Sequence, residues 1–175
     1  EIKTSLQEVI ATWKRERNPE PVNFERGWSP FLATGFLTGE GFSSEDYHRA
    51  IGRSDDWHAS ARYADPGNRI SPYSIEYYIE GKETVATTLK LVLNINVASG
   101  SREAKEKFIT LIGILFNKAL GEELPENIIK DISDEIEGSI QIKGKEISIS
   151  KEVWPRHHMN GYAIRFQIQN PEMEP

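Results

Sequence analysis

The chain has 175 residues, 38% of them hydrophobic and 10% aromatic, which is enough for one domain with a real core. Its 27 acidic residues against 21 basic ones give a formal charge of -6, which opposes non-specific nucleic-acid binding because that needs a basic face. Cysteine is absent, so disulfides, zinc–thiolate sites, iron–sulfur clusters and thiol nucleophiles are excluded.

At the start of the chain, Ile2, Leu6, Val9, Ile10 and Trp13 recur at helical spacing. They predict an amphipathic helix within residues 1–20, ended by the Asn18-Pro19-Glu20-Pro21 breaker. Membrane-surface helices carry a dominantly basic polar face, whereas this one carries Glu1, Glu8 and Glu16, so it reads as a helix lying on its own domain. Residues 21–170 read as a single α+β domain and 171–175 as a flexible tail. A chain that opens at Glu1 fits removal of a signal sequence or anchor, and equally a trimming point.

Val22 to Phe42 is rich in glycine and aromatic residues, and Ser43 or Ser44 can cap a short helix over Glu45 to Ile51. Trp57 to Tyr63 alternates as a short strand would, and Asp65-Pro66-Gly67-Asn68 carries the signals of a turn. Tyr73, Ile75, Tyr77 and Ile79 then alternate up to a turn at Glu80-Gly81-Lys82. The second strand of this hairpin is the most informative stretch of the chain. Val85, Thr87, Leu89, Leu91, Leu93, Ile95 and Val97 fall on every second position, against Ala86, Thr88, Lys90, Asn94 and Asn96, with Val92 the apolar exception. A one-sided strand of this kind belongs to an antiparallel sheet with helices on one face.

Ala104, Phe108, Ile112, Leu115, Phe116 and Ala119 stripe a helix over 101–120, with Ser101 as its cap and Gly121 just past its end. Its Phe108–Phe116 run is the longest apolar stretch and is too short to span a bilayer, so no transmembrane segment is expected. Pro125 suits the first turn of a second helix over 125–136, with Ile128, Ile129, Ile132 and Ile136 as its buried stripe. A hairpin around Lys143-Gly144-Lys145 follows, and then a last strand, Tyr162 to Ile168. Segregated strands with two consecutive helices predict α+β: a roughly five-stranded, mainly antiparallel sheet with both helices on one face, plus the N-terminal helix.

Several groups of residues carry chemical potential. His48, Asp55, Asp56 and His58, with Glu45 and Asp46 nearby, are the imidazoles and carboxylates that zinc, manganese or iron takes in a protein without thiols. Their spacing matches neither a zincin helix nor an EF-hand loop, and a turn with exposed charge explains the acids as well. His157 and His158, after Trp154-Pro155-Arg156, are able to act as acid or base but fit a surface loop better. The Thr34–Gly41 segment is glycine-rich but lacks the P-loop lysine and the Rossmann spacing, so it reads as a flexed loop. Aromatic residues such as Trp28 and Trp57 suit a ligand cleft or a packed interior.

With no nucleophile motif, phosphate loop or complete metal signature, the expected function is non-enzymatic: a binding or accessory domain that contacts another protein or a small ligand through the polar sheet face. Trp28, Trp57, Lys90, Asn94, Arg165 and Gln167 are its expected contact residues. The alternative is a metal-dependent hydrolase-like enzyme using His48, Asp55, Asp56 and His58. No cofactor and no nucleic-acid partner are expected, and the source reads as bacterial, with an exported or periplasmic location.

Overall fold

A computed structural model describes residues 27–52, 55–63, 72–97, 101–155 and 161–171. The predicted N-terminal helix, the Asp65–Asn68 turn, Arg156, His157, His158 and all of the tail after Pro171 lie outside the described residues. The elements in chain order are α1 (Pro30–Gly35), a 3-10 turn (Thr38–Glu40), β1 (Phe42–Ser44), β2 (His48–Arg49), β3 (Trp57–Tyr63), β4 (Tyr73–Lys82) and β5 (Val85–Ile95). They continue with α2 (Ser101–Leu120), α3 (Glu126–Asp134), β6 (Gly138–Ile142), β7 (Lys145–Val153) and β8 (Tyr162–Gln169).

The fold is α+β, with a sheet larger than the five strands expected. Eight strands join one antiparallel sheet in the order β1-β3-β4-β5-β8-β7-β6, and β2 also pairs with β3. Two meanders, β3-β4-β5 and β6-β7-β8, meet where β5 pairs with β8. The two consecutive helices connect the centre of the sheet to its far edge, so the chain returns through β7 and β8 to close against its own middle.

The period-two reading of β5 fixes one row of the core. Leu91 is flanked by Tyr77 on β4 and Phe166 on β8, and the same row runs on to Ala61 and Ile149. Leu89, Leu91, Leu93 and Ile95 are buried in one cluster with Phe108, Leu111, Ile112, Leu115 and Phe116 of α2. A strand side chain buried this fully contributes about 1.5–3 kcal/mol relative to exposure, so this row is the main source of stability in the sheet. Helix α3 adds Ile128 and Ile132 to the same core.

Several boundaries differ from expectation, among them the end of β5, which stops at Ile95 and leaves Val97 outside the row and 49% exposed. Helix α3 stops at Asp134, because Glu135 takes a left-handed conformation (φ 58°) and caps it. Ile136 is therefore outside the helical stripe and 49% exposed. Pro125 is the residue before the first helical turn rather than inside it. In the first hairpin β4 continues through Lys82, with a bulge beside Gly81: Glu80 pairs with Thr88 but Gly81 pairs with Ala86. Only glycine fits there, since a Cβ would stand 2.3 Å from the Val85 carbonyl oxygen. The second hairpin turns on Lys143 and Gly144, both with positive φ, the conformation that suits a tight two-residue turn.

The helix expected over Glu45 to Ile51 is absent; the segment is extended and holds the two-residue edge strand β2, with β1 just before it. Phe42 buries itself against Tyr63 and Tyr77, and Tyr47 stacks on Trp57 at 5.9 Å between centroids. Seven residues are too few to sustain a helix without a buried face, and Ile51 is fully exposed. Pairing with β3 gives the same backbone its hydrogen bonds, including Glu45 N–H to Ser60 O at 3.0 Å and Ala50 N–H to Asp56 O at 2.7 Å.

Candidate functional site

The side chains between the core positions form the second face of the sheet, and they are almost all polar. One row runs Ser60, Tyr78, Lys90, Gln167, Ser148 and Ser139 across the strands from β3 to β6. A neighbouring row runs Arg62, Glu76, Val92, Arg165 and Ser150. Most of the charges on this face are paired with one another: Arg62 with Glu76 at 2.8 Å, Lys90 with Glu80 at 2.8 Å, and Arg165 with Glu152. Tyr78 donates to Glu76, and burial, this bond and the nearby carboxylates push its hydroxyl up to about 12. Gln167 donates to Gln169 Oε1 at 2.7 Å, and Asn94 donates to Ser74 Oγ at 3.3 Å.

At one end of this face the sheet opens into a cleft of about 890 Å³, within the range of small-molecule sites. The bulge at Gly81 shapes one wall, and β8 with the following Asn170 and Pro171 shapes the other. His58, Glu80, Thr88 and Gln169, all on one cross-strand row, form the floor. Trp57 lines the β3 side and is held by its stack on Tyr47. Tyr47 donates its hydroxyl to the Lys82 carbonyl at 2.9 Å, and burial together with the Glu80 carboxylate raises it to about 12, so it stays a neutral donor. Ile51 stands fully exposed at the rim.

Beneath the far wall lies a group that the sequence pattern concealed. Lys145, expected in a turn, is buried at the start of β7, with its Nζ 2.5 Å from Asn170 Oδ1 and 5.4 Å from the Trp28 ring centre. Burying an ammonium is costly unless it is hydrogen-bonded and electrostatically compensated; here the Asn170 amide oxygen accepts from it and the Trp28 ring faces it. Asn170 thus has its side chain fixed from below while its residue faces the cleft. Nothing in the local pattern around Asn170, the last residue of the expected domain, marked it as part of a site.

The expected contact residues separate into distinct environments. Trp57 lies on the cleft. Lys90, Asn94, Arg165 and Gln167 share the polar face, each with a partner already named. Trp28 is a core residue, a correction to its expected place at the surface: it is 1% exposed and its Nε1 donates to Ala119 O of α2 at 2.9 Å. Its backbone pairs with Ala86, which pulls the start of the described chain onto the sheet.

The metal candidates also divide. His48 and His58 are direct cross-strand partners with ring centroids 4.4 Å apart. Asp56 turns its carboxylate to Lys82 at 3.3 Å, and Asp55 lines a shallow depression with Arg49, Lys82 and Glu83. Among the described residues no three His, Asp or Glu side chains converge as a metal-binding group. Among the described residues no helix is long and apolar enough to cross a membrane.

No protein family matches the chain. Searches of curated proteins and of solved structures likewise return no significant match.

A second polar cluster stands apart from the cleft. Glu135 accepts from Lys151 at 2.5 Å, from Tyr162 at 2.6 Å and from Lys105 at 3.2 Å. Burial alone would raise its carboxyl, but these three donors outweigh it and hold the group down at about 2. The hub ties the end of α3 to α2, β7 and β8, and it reads as a structural clamp because every one of its groups is satisfied.

Proposed function

We propose that the protein is a non-enzymatic binding domain whose site is the cleft at the His58–Gln169 end of the polar sheet face. Its ligand is a small molecule with one apolar side, for Trp57 and Ile51, and hydrogen-bonding groups for His58, Thr88, Gln169 and Asn170. The observation that carries this reading is the meeting of these two kinds of group around one 890 Å³ cleft. Pairing on the rest of the polar face supports it, because the charges there are already neutralised within the protein and offer a ligand little net gain. The helices, with their apolar residues in the shared core, would then serve as the rigid backing that keeps the cleft formed.

Ligand-observed NMR with a library of polar aromatic fragments tests the reading. Fragments should bind the wild type, lose binding in Gln169→Trp, which fills the cleft, and keep it in Ser150→Trp, which enlarges a side chain elsewhere on the same face. Absence of any binder, or binding that survives Gln169→Trp, would overturn it.

A further inference from the structure

The cross-strand histidine pair carries a separate inference. We propose that His48 and His58 form a two-histidine chelate for a divalent transition-metal ion of the copper, nickel or zinc class. The inference stands without the cleft binding any organic ligand.

Three observations support it. The pairing of β2 with β3 places the two residues directly opposite each other, so their side chains leave the same face of the sheet. The ring centroids are 4.4 Å apart and the planes are inclined at 58°. Two nitrogens that share one ion at about 2.0–2.1 Å each must lie within about 4.2 Å of one another, a separation comparable to the 4.4 Å between these ring centroids. Finally, His48 Nδ1 lies 2.7 Å from the Asp46 carbonyl oxygen. A carbonyl only accepts, so this contact selects the neutral tautomer with the proton on Nδ1, the one that leaves the Nε2 lone pair for a ligand. A backbone or carboxylate acceptor behind the ring is the arrangement that orients metal-binding histidines.

The surroundings favour a cation. Glu80 is the next residue along the row from His58, Asp46 adjoins β2, and Glu45 accepts from Ser60 Oγ at 3.3 Å on the strand that carries His58. Lys90 offsets Glu80 through their ion pair, and Glu45 and Asp46 bring two further carboxylates close to this edge, opposite the guanidinium of Arg49. Two imidazoles provide two coordination positions and water fills the others, so the ion would be exchangeable and open to a further ligand. Imidazole donors select copper, nickel and zinc over magnesium and calcium, with copper held most tightly.

The chain has four histidines, His48, His58, His157 and His158, which makes the test selective. Untagged protein is titrated with Zn2+ alone by calorimetry and with Cu2+ alone by electron paramagnetic resonance. The expected result is one bound ion, with nitrogen hyperfine structure from two imidazoles. Affinity should fall by roughly tenfold at the least in His48→Gln and in His58→Gln, and hold in the double variant His157→Gln/His158→Gln. His48 is exposed on an edge strand, so His48→Gln decides the matter even if His58→Gln does not fold. Mg2+ should give no heat. The inference is overturned if the wild type binds no ion, or if binding disappears with the His157/His158 variant and survives in His48→Gln.

Discussion

The two faces of the sheet are made by the same strands, yet they are satisfied in different ways. Along β5, Leu89, Leu91 and Leu93 are buried with the aromatic and aliphatic residues of α2, and packing alone holds them. Lys90 and Asn94, one residue over, are held by partners on a neighbouring strand: Lys90 by Glu80, Asn94 by Ser74. The first arrangement is sensitive to shape and indifferent to salt or pH. The second is specific in direction but weak in energy, because partly exposed ion pairs gain little over their hydrated forms. Stability therefore resides mainly on the packed face, while the other is held by directional polar pairs.

Truncation on the two faces should separate them most clearly. Leu91→Ala, at the centre of the buried row, is expected to cost about 2–5 kcal/mol in chemical denaturation, since it leaves a cavity between Tyr77 and Phe166. A cost below about 1 kcal/mol would mean that the row is not the principal core.

An intermediate effect is expected at Glu135, the satisfied hub. Glu135→Gln should cost about 2 kcal/mol at neutral pH, because Lys105 and Lys151 lose their shared carboxylate. The pH dependence has a definite sign. The carboxyl titrates at about 2 in the folded protein, below its ordinary value of 4.5. Its contribution is therefore complete above about pH 4.5 and declines as the pH falls toward 2. Wild type should lose more stability than Glu135→Gln across that interval, and parallel curves would remove the hub from the account of stability.

The smallest effect belongs to the polar face. Lys90→Met, which breaks the pair with Glu80, should change stability by under about 1 kcal/mol, and less still at high salt. A larger loss would show that this face supports the fold as well as presenting groups from it.

The difference between the faces also explains what could be read from the sequence. The alternation in β4, β5 and β8 and the stripe of α2 were legible because burial imposes a strict period on apolar residues. The edge strands β1 and β2 were not: this stretch is anchored by isolated aromatic residues, Phe42 against Tyr63 and Tyr77 and Tyr47 against Trp57, which leave no period to detect. Their loss from the reading made the sheet look smaller than it is. Trp28 was misplaced for a related reason, since its backbone pairs with Ala86 and its indole bonds to Ala119, contacts far apart in sequence. The cleft is assembled from β3, the β4–β5 bulge and the residues after β8, so Trp57 alone among the expected contact residues lines it. Asn170 and Lys145 had no local signal at all. The proximity of His48 and His58 became visible only once β2 was paired with β3.

The absence of cysteine allows the central contrast to be measured directly. Single cysteines placed at Ser60, Ser148 and Ser150 on the polar face, and at Leu91 in the buried row, can be labelled with a thiol reagent under native conditions. The polar-face thiols should react at rates within about tenfold of an unfolded control, while the thiol at position 91 should react only through unfolding. Equal protection of all four positions would contradict a sheet with one buried face and one available for binding.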